Sequence, residues 1–186
     1  VMRDVNYENY RSGDQYKDIN SARNVTQLRE ALATHQGAAF VNTIAADVEG
    51  GALYADMSAI PNVSSELIER CAVDTETGQR AITLNGSDPS CNWQIDSRAA
   101  YPGLMPPTEQ PSLITDTYVS NSNDSYWLSN PDNPLEGFSP IIGNEQLTRS
   151  LRTRAGLKFV EEVLNSDQKF NQSMVQNLLF NHRHYG

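Results

Sequence analysis

The chain has 186 residues, a formal charge of −9 and an isoelectric point near 4.7. That length allows one domain with a real core, or part of a larger one. No Lys/Arg-rich run occurs, which argues against nucleic acid or an anionic membrane as the main partner, and the dispersed acidic residues read as solubilising surface.

No apolar run approaches the roughly 20 residues needed to span a bilayer. No basic-then-apolar signal peptide opens the chain. Val1 leads straight into a polar stretch, and the closing "FNHRHYG" lacks a helix stop. Both ends read as cuts, so a processed chain or an excised piece of a larger protein is expected.

Residues 1–20 are polar with scattered tyrosines. "NSARNVTQLREALATHQG" then predicts a helix. Asn24 and Gln27 form a capping-box-like pair, Val25, Leu28 and Leu32 line one face, and Gly37 supplies a left-handed stop. His35, at the helix end, suits the dipole there. "AAFVNTIAADVEGGALYADMSAIP" reads as two strands, 38–47 and 52–59, joined by a Gly-Gly turn. The first strand, nearly all small or apolar, is expected to be buried on both faces, and Pro61 ends the second. "SSELIERC" is a short helix.

Residues 71–111 form an irregular insertion containing both cysteines, Cys71 and Cys91, and a Pro-rich tract. An exported protein could staple such a loop with a disulfide, a closure of about 3 kcal/mol in the chain-entropy model. The alternative is two unpaired thiols, which so polar a loop buries poorly. With two Cys, no C-x-x-C spacing and no nearby His, no metal is expected. "SLITDTYVS" is a third strand, and the chain then turns helical over 145–182, in two stretches of roughly 145–165 and 171–182. Asn171 is a cap for the second, and Gly156 is a point of possible break or kink in the first.

Catalytic chemistry is sparse in the residues. No G-x-S-x-G elbow, phosphate-cradling Gly loop or calcium-loop spacing occurs, and His182 and His184 form only a lone H-x-H. The stretch "SNSNDSYWLSNP", 120–131, combines four Ser, three Asn and one Asp with a Tyr and a Trp. Its side-chain amides suit an oxyanion hole, because they are uncharged donors that can be fixed before reaction. The same residues also suit an Asx-turn loop bonded to its own backbone.

The order of motifs carries a resemblance. "VNTIAADVEGGALYADMSAIPNV", followed by "NSNDSYWLSNP" and "PLEGFSPIIG", resembles the penicillin acylase family of N-terminal-nucleophile hydrolases. The nearest branch is that of acyl-homoserine lactone acylases and aculeacin-type lipopeptide deacylases. The resemblance covers nearly the whole chain, the two cysteines included, as an internal part of a β chain.

It implies an α+β fold, part of an αββα sandwich. The implied chemistry is amide hydrolysis by an N-terminal Ser whose own α-amine acts as general base, with a backbone N–H and an Asn side chain holding the tetrahedral oxyanion. That Asn falls on Asn123, with Asn121 as runner-up, and Asp124 and Ser125 brace the loop. The orienting Arg falls on Arg149, or on Arg152 if the alignment slips. The substrate-binding positions that wall the acyl pocket carry Tyr16 and Phe40, which ordinary core packing would equally explain. Trp127 reads as scaffold.

The implied partners are an N-acylated small molecule, the α chain and the remainder of the β chain. No cofactor, nucleic acid or membrane is implied, and the compartment is periplasmic or extracellular. Val1 cannot be the nucleophile, so the chain alone is expected to be inactive. A β-lactam acylase and a non-catalytic binding or scaffold module are the competing readings.

Overall fold

The computed structural model describes residues 3–39, 41–73, 82–166 and 170–183. The architecture is α+β. Helices α1 (Ser12–Ser21) and α2 (Val25–His35) pack beside an antiparallel sheet of β1 (Thr43–Ala46), β2 (Ala52–Ala55) and β3 (Ser112–Thr115), in the order β1-β2-β3. Helix α3 (Ser65–Cys71) follows the sheet's first hairpin, and α4 (Leu151–Leu164) and α5 (Gln172–Phe180) close the chain. Among the described residues no helix is long and apolar enough to cross a membrane.

Helix α2 starts as its sequence predicts: the Asn24 side chain accepts from the Gln27 backbone N–H at 2.9 Å. Val25 and Leu32 meet Leu53, Ala55 and Met57 in the main core, with Ile19 and Leu28 packed at its margin. The helix end differs from expectation. Gln36, at φ 43°, is the left-handed residue, and Gly37 is required for a different reason. A Cβ at Gly37 would lie 2.5 Å from the carbonyl carbon of Arg11, so only glycine lets the α2 exit pass so close to the start of α1.

Helix α1 has no counterpart in the sequence reading. Its inner face lacks an apolar stripe and is built around Gln15, which is fully buried. The Gln15 Oε1 accepts from the backbone N–H groups of Gly37 at 2.6 Å and Ala38 at 3.2 Å. Arg11 donates from Nε to the His35 carbonyl at 2.9 Å, and His35 Nε2 lies 2.7 Å from Asp18 Oδ2. Polar pairing thus does here what apolar periodicity usually does.

The hairpin register pairs Thr43 with Ala55 and Ala46 with Ala52. Asp47 shapes its turn, accepting from Glu49 and Gly51 through Oδ1 and from Val25 at the α2 N-terminus through Oδ2. The first strand is not buried on both faces. β1 is an edge strand of alternating exposure with Ile44 54% exposed, whereas all four residues of β2 are buried. Being small and apolar marks a residue as able to be buried, but strand order decides which strand is covered. Both strands are also shorter than predicted, and Pro61 pairs with Leu104 in an isolated bridge.

The insertion is irregular, with two 3-10 turns (Pro89–Cys91 and Pro107–Glu109), and the Cys71–Cys91 disulfide is formed. It sits in a second cluster with Val63 and Leu67, flanked by Leu84, Trp93 and Ile141. Two buried glutamines tie the insertion to the rest. Gln36 donates to the Met105 carbonyl at 2.7 Å and accepts from the Ala100 N–H at 2.9 Å. Gln110 donates to the same carbonyl at 2.9 Å and accepts from the Ser58 N–H at 2.9 Å.

The helical region begins later than residue 145. Glu145 is drawn into side-chain bonding with the preceding loop, Gln146 has φ 53°, and Ser150 caps α4 by accepting from the Thr153 N–H at 3.2 Å. Helix α4 runs unbroken through Gly156. Asn171 caps α5, accepting from the Met174 N–H at 3.0 Å.

Candidate active site

The polar stretch leaves β3 and folds into a loop closed at its neck. The Ser120 N–H donates to the Ser129 carbonyl at 2.8 Å. Asn130, fully buried, donates to Thr117 Oγ1 and the Tyr118 carbonyl and accepts from the Asp132 N–H. At the tip Asn121 Oδ1 accepts from the Asn123 N–H at 2.7 Å, an Asx turn, and Asn123 is left-handed at φ 54°. Asn tolerates this conformation better than most residues, at a cost of about 1 kcal/mol. Asn123 is exposed, and its side-chain amide makes no hydrogen bond among the described residues.

The next residue is held from several sides. Asp124 Oδ1 accepts from Arg149 Nη1 at 3.1 Å and from the Ser125 N–H at 2.9 Å. Its Oδ2 accepts from the Thr153 hydroxyl at 2.6 Å and from the Ser150 N–H at 3.3 Å. Burial alone would raise the Asp124 carboxyl, but these hydrogen bonds and the Arg149 charge outweigh it and bring the group down to about 2. The Arg149 side chain is only 7% exposed; it also donates from Nε to the Leu147 carbonyl and lies with its guanidinium carbon 5.4 Å from the Trp127 ring centroid.

The two rings fix the loop's body. Tyr126 is buried, donates to Glu145 Oε1 at 2.7 Å and meets Phe138 edge-on with centroids 5.4 Å apart. Glu145 also accepts from the backbone N–H groups of Gly137 and Phe138, each at 2.9 Å. Burial opposes ionisation of Glu145, yet these donors hold its carboxyl below the usual range. Trp127 donates from Nε1 to Glu136 Oε1 at 2.7 Å.

The structure therefore brings Asn123, Asp124 and Arg149 together. Arg152 reaches only the Asn123 carbonyl, at 3.5 Å. Tyr16 lies on α1, 53% exposed, and no hydrogen bond or ring contact joins it to this loop. Phe40 and His184 lie outside the described residues. Among the described residues no three His, Cys, Asp or Glu side chains gather as a metal-binding group. Sequence reasoning missed Thr153, Glu145 and Asn130. Of these only Thr153 had a signal, as the third residue after a Ser at a helix start.

A separate cavity of about 570 Å³ opens between Arg3, Asp4 and Val5, the residues after β2 and the Ile141–Ile142 loop. Its walls are mostly apolar, with Ile60, Pro61, Trp93, Ile141 and Ile142 among them, and Asp56 faces it. Burial pushes the Asp56 carboxyl up to about 6.

The family profile described as "Penicillin amidase" matches residues 2–186. The acyl-homoserine lactone acylase PvdQ of Pseudomonas fluorescens (strain Pf0-1) is 40% identical over 156 residues, covering 84% of this chain and 20% of that protein. The Aculeacin-A acylase of Actinoplanes utahensis is 38% identical over 197 residues, covering all of this chain and 25% of that protein. The chain thus spans about a fifth to a quarter of the length of these curated relatives. With a family profile matching almost from end to end and relatives this similar along the same stretch, the chain belongs to the penicillin amidase family.

Proposed function

We propose that the protein carrying this chain hydrolyses the amide bond between a medium or long acyl group and a polar head, such as an acyl-homoserine lactone or a lipopeptide. In this reading the Asn123 amide donates to the tetrahedral oxyanion. Arg149 and Asp124 hold the loop that presents it. The nucleophile, an N-terminal Ser with its own amine as base, comes from outside this chain, as do the α chain, the rest of the β chain and the remaining layers of an αββα sandwich. By itself the chain is inactive. Tyr16 and Phe40 contribute to the acyl pocket in the assembled enzyme. The disulfide fits a periplasmic or extracellular site of action.

The observation that carries this reading is the uncommitted Asn123 amide on a left-handed residue whose neighbours are bonded on both sides. A donor aimed at a developing charge must be free in the resting enzyme and unable to wander. Asn123→Ala in the full-length mature enzyme is expected to lower kcat about 10²–10³-fold, the usual cost of one oxyanion donor. Near-normal turnover would remove the assignment. The family's description, penicillin amidase, favours as a second reading a preference for small aromatic acyl groups on β-lactams. A chain-length series of acyl substrates separates the two: rising kcat/KM with aliphatic length supports the first.

A further inference from the structure

We propose that Thr153 is a positioning residue for the acylase reaction, fixing the Asn123 amide through Asp124; this rests on reading Asn123 as the oxyanion donor. Thr153 is 6% exposed and is the only buried residue of α4. The apolar residues of that helix are half-buried or exposed, so polar contacts share in setting where α4 sits. Its first turn is placed by polar bonds to the loop.

The proton inventory orders those bonds. A threonine hydroxyl has one proton. Asp124, ionised, can only accept, so Thr153 donates to Oδ2 across 2.6 Å. The 2.9 Å contact between Ser150 Oγ and Thr153 Oγ1 must then carry the Ser150 proton toward Thr153. Ser150 Oγ in turn accepts from the Thr153 N–H at 3.2 Å. The result is a relay from the helix cap to the carboxylate, with the Ser150 N–H and the α4 N-terminus adding to it. At the same end of the helix Gly156 admits Ser122, whose Oγ would sit 3.4 Å from a Cβ at that position.

Asn123 is thus pinned on its N-terminal side by Asn121 and on its C-terminal side by Asp124. A left-handed non-glycine residue persists when its surroundings over-determine it. Removing the Thr153 hydroxyl loosens one of the two pins while leaving the Asn123 amide chemically intact.

The test uses the full-length mature enzyme and a p-nitroanilide carrying a medium acyl chain. Thr153→Val keeps the shape and loses the hydroxyl; Thr153→Ser keeps the hydroxyl. The Val variant is expected to lose about 10–100-fold in kcat with KM within about twofold, and the Ser variant to stay within about threefold. In an Asn123→Ala background, Thr153→Val should cost less than about threefold, because there is no longer an amide to position. Thr153→Ala is measured alongside, so that a Val variant that does not fold leaves the outcome decided by the Ala one. Equal losses in both backgrounds, a loss confined to KM, or full activity of Thr153→Val beside a crippled Asn123→Ala would each overturn the proposal. Near-normal turnover of Asn123→Ala would instead bring down the oxyanion reading on which it rests.

Discussion

The helix–hairpin side of the molecule and the loop of residues 117–153 both bury polar side chains, but for different ends. On the helix–hairpin side Gln15, Gln36 and Gln110 are neutral amides, each bonded to backbone groups far away in sequence. They substitute for ladder bonds where the chain is irregular, and the apolar core of Leu32, Leu53 and Met57 lies beside them. In the loop one neutral amide of that kind, Asn130, closes the neck, and beside it the loop adds charge that the other side lacks: Asp124 with Arg149, Tyr126 with Glu145. A neutral amide bonded twice contributes stability without needing a counter-charge. A buried ion pair contributes little net stability but defines direction and distance sharply. The difference teaches that the first region is built to hold together and the second to hold one group in place.

That contrast can be broken by experiment in the full-length enzyme. The largest stability loss is expected for Gln15→Leu, which strips two buried N–H groups of their acceptor. About 2 kcal/mol should disappear from a urea unfolding curve, since the Leu also removes the buried Gln15 Nε2 that has no partner among the described residues, with kcat per folded molecule unchanged. A fall in kcat of the folded fraction would show that the two regions are coupled.

Asp124→Asn should do the reverse. The amide retains one acceptor and leaves the nearly buried Arg149 without its counter-charge, so kcat should fall about tenfold while unfolding shifts by about 1–2 kcal/mol after allowing for the solvent access of Asp124. Because the folded Asp124 titrates near 2, below its unfolded value, its contribution is present above about pH 4 and fades as pH falls toward 2. The wild-type and Asn variants should therefore converge in stability only in strong acid. A gap that closes between pH 6 and 8 would contradict the clamp.

The smallest effect is expected at Asp56. Its folded carboxyl titrates near 6, above the unfolded value, so the stability it lends is complete below about pH 4 and is lost as pH rises through 6. Asp56→Asn should be more stable than wild type by about 1 kcal/mol at pH 8, after allowing for partial solvent access. The two should be indistinguishable near pH 4. An Asn variant less stable at pH 8 would mean that the ionised carboxylate has a cationic partner in the assembled enzyme.

Local signals in the chain foretold local structure. Asn24 and Asn171 cap helices because a short acceptor before a helix has one nearby donor to satisfy, and each does so. The "VEGG" turn closes a hairpin because glycine at position 50 accepts φ 94° at no steric cost. Cys71 and Cys91 bracket a loop too polar to bury thiols, and they are joined. The crowding of amides and hydroxyls beside two rings singled out the loop that carries Asn123, and the motif order is what proposes Asn123 and Arg149 as its working residues.

Tertiary structure alone decided the rest. Gln15 reaches across 22 residues and Gln36 across 69, so neither bond leaves a periodic trace in the sequence, and α1 could not be recognised without its partner. Edge or centre is a property of strand order, which is why β1 is half exposed and β2 fully covered despite similar composition. The left-handed residue moved from Gly37 to Gln36 because the glycine was already needed where α1 passes within contact distance. The chain by itself specified the hairpin turn, the caps at Asn24 and Asn171 and the staple, and it pointed to the residue proposed to carry the chemistry. Only the packed structure specified what holds that residue still, because those contacts join Asp124 to residues 25–29 positions away and follow no local rule.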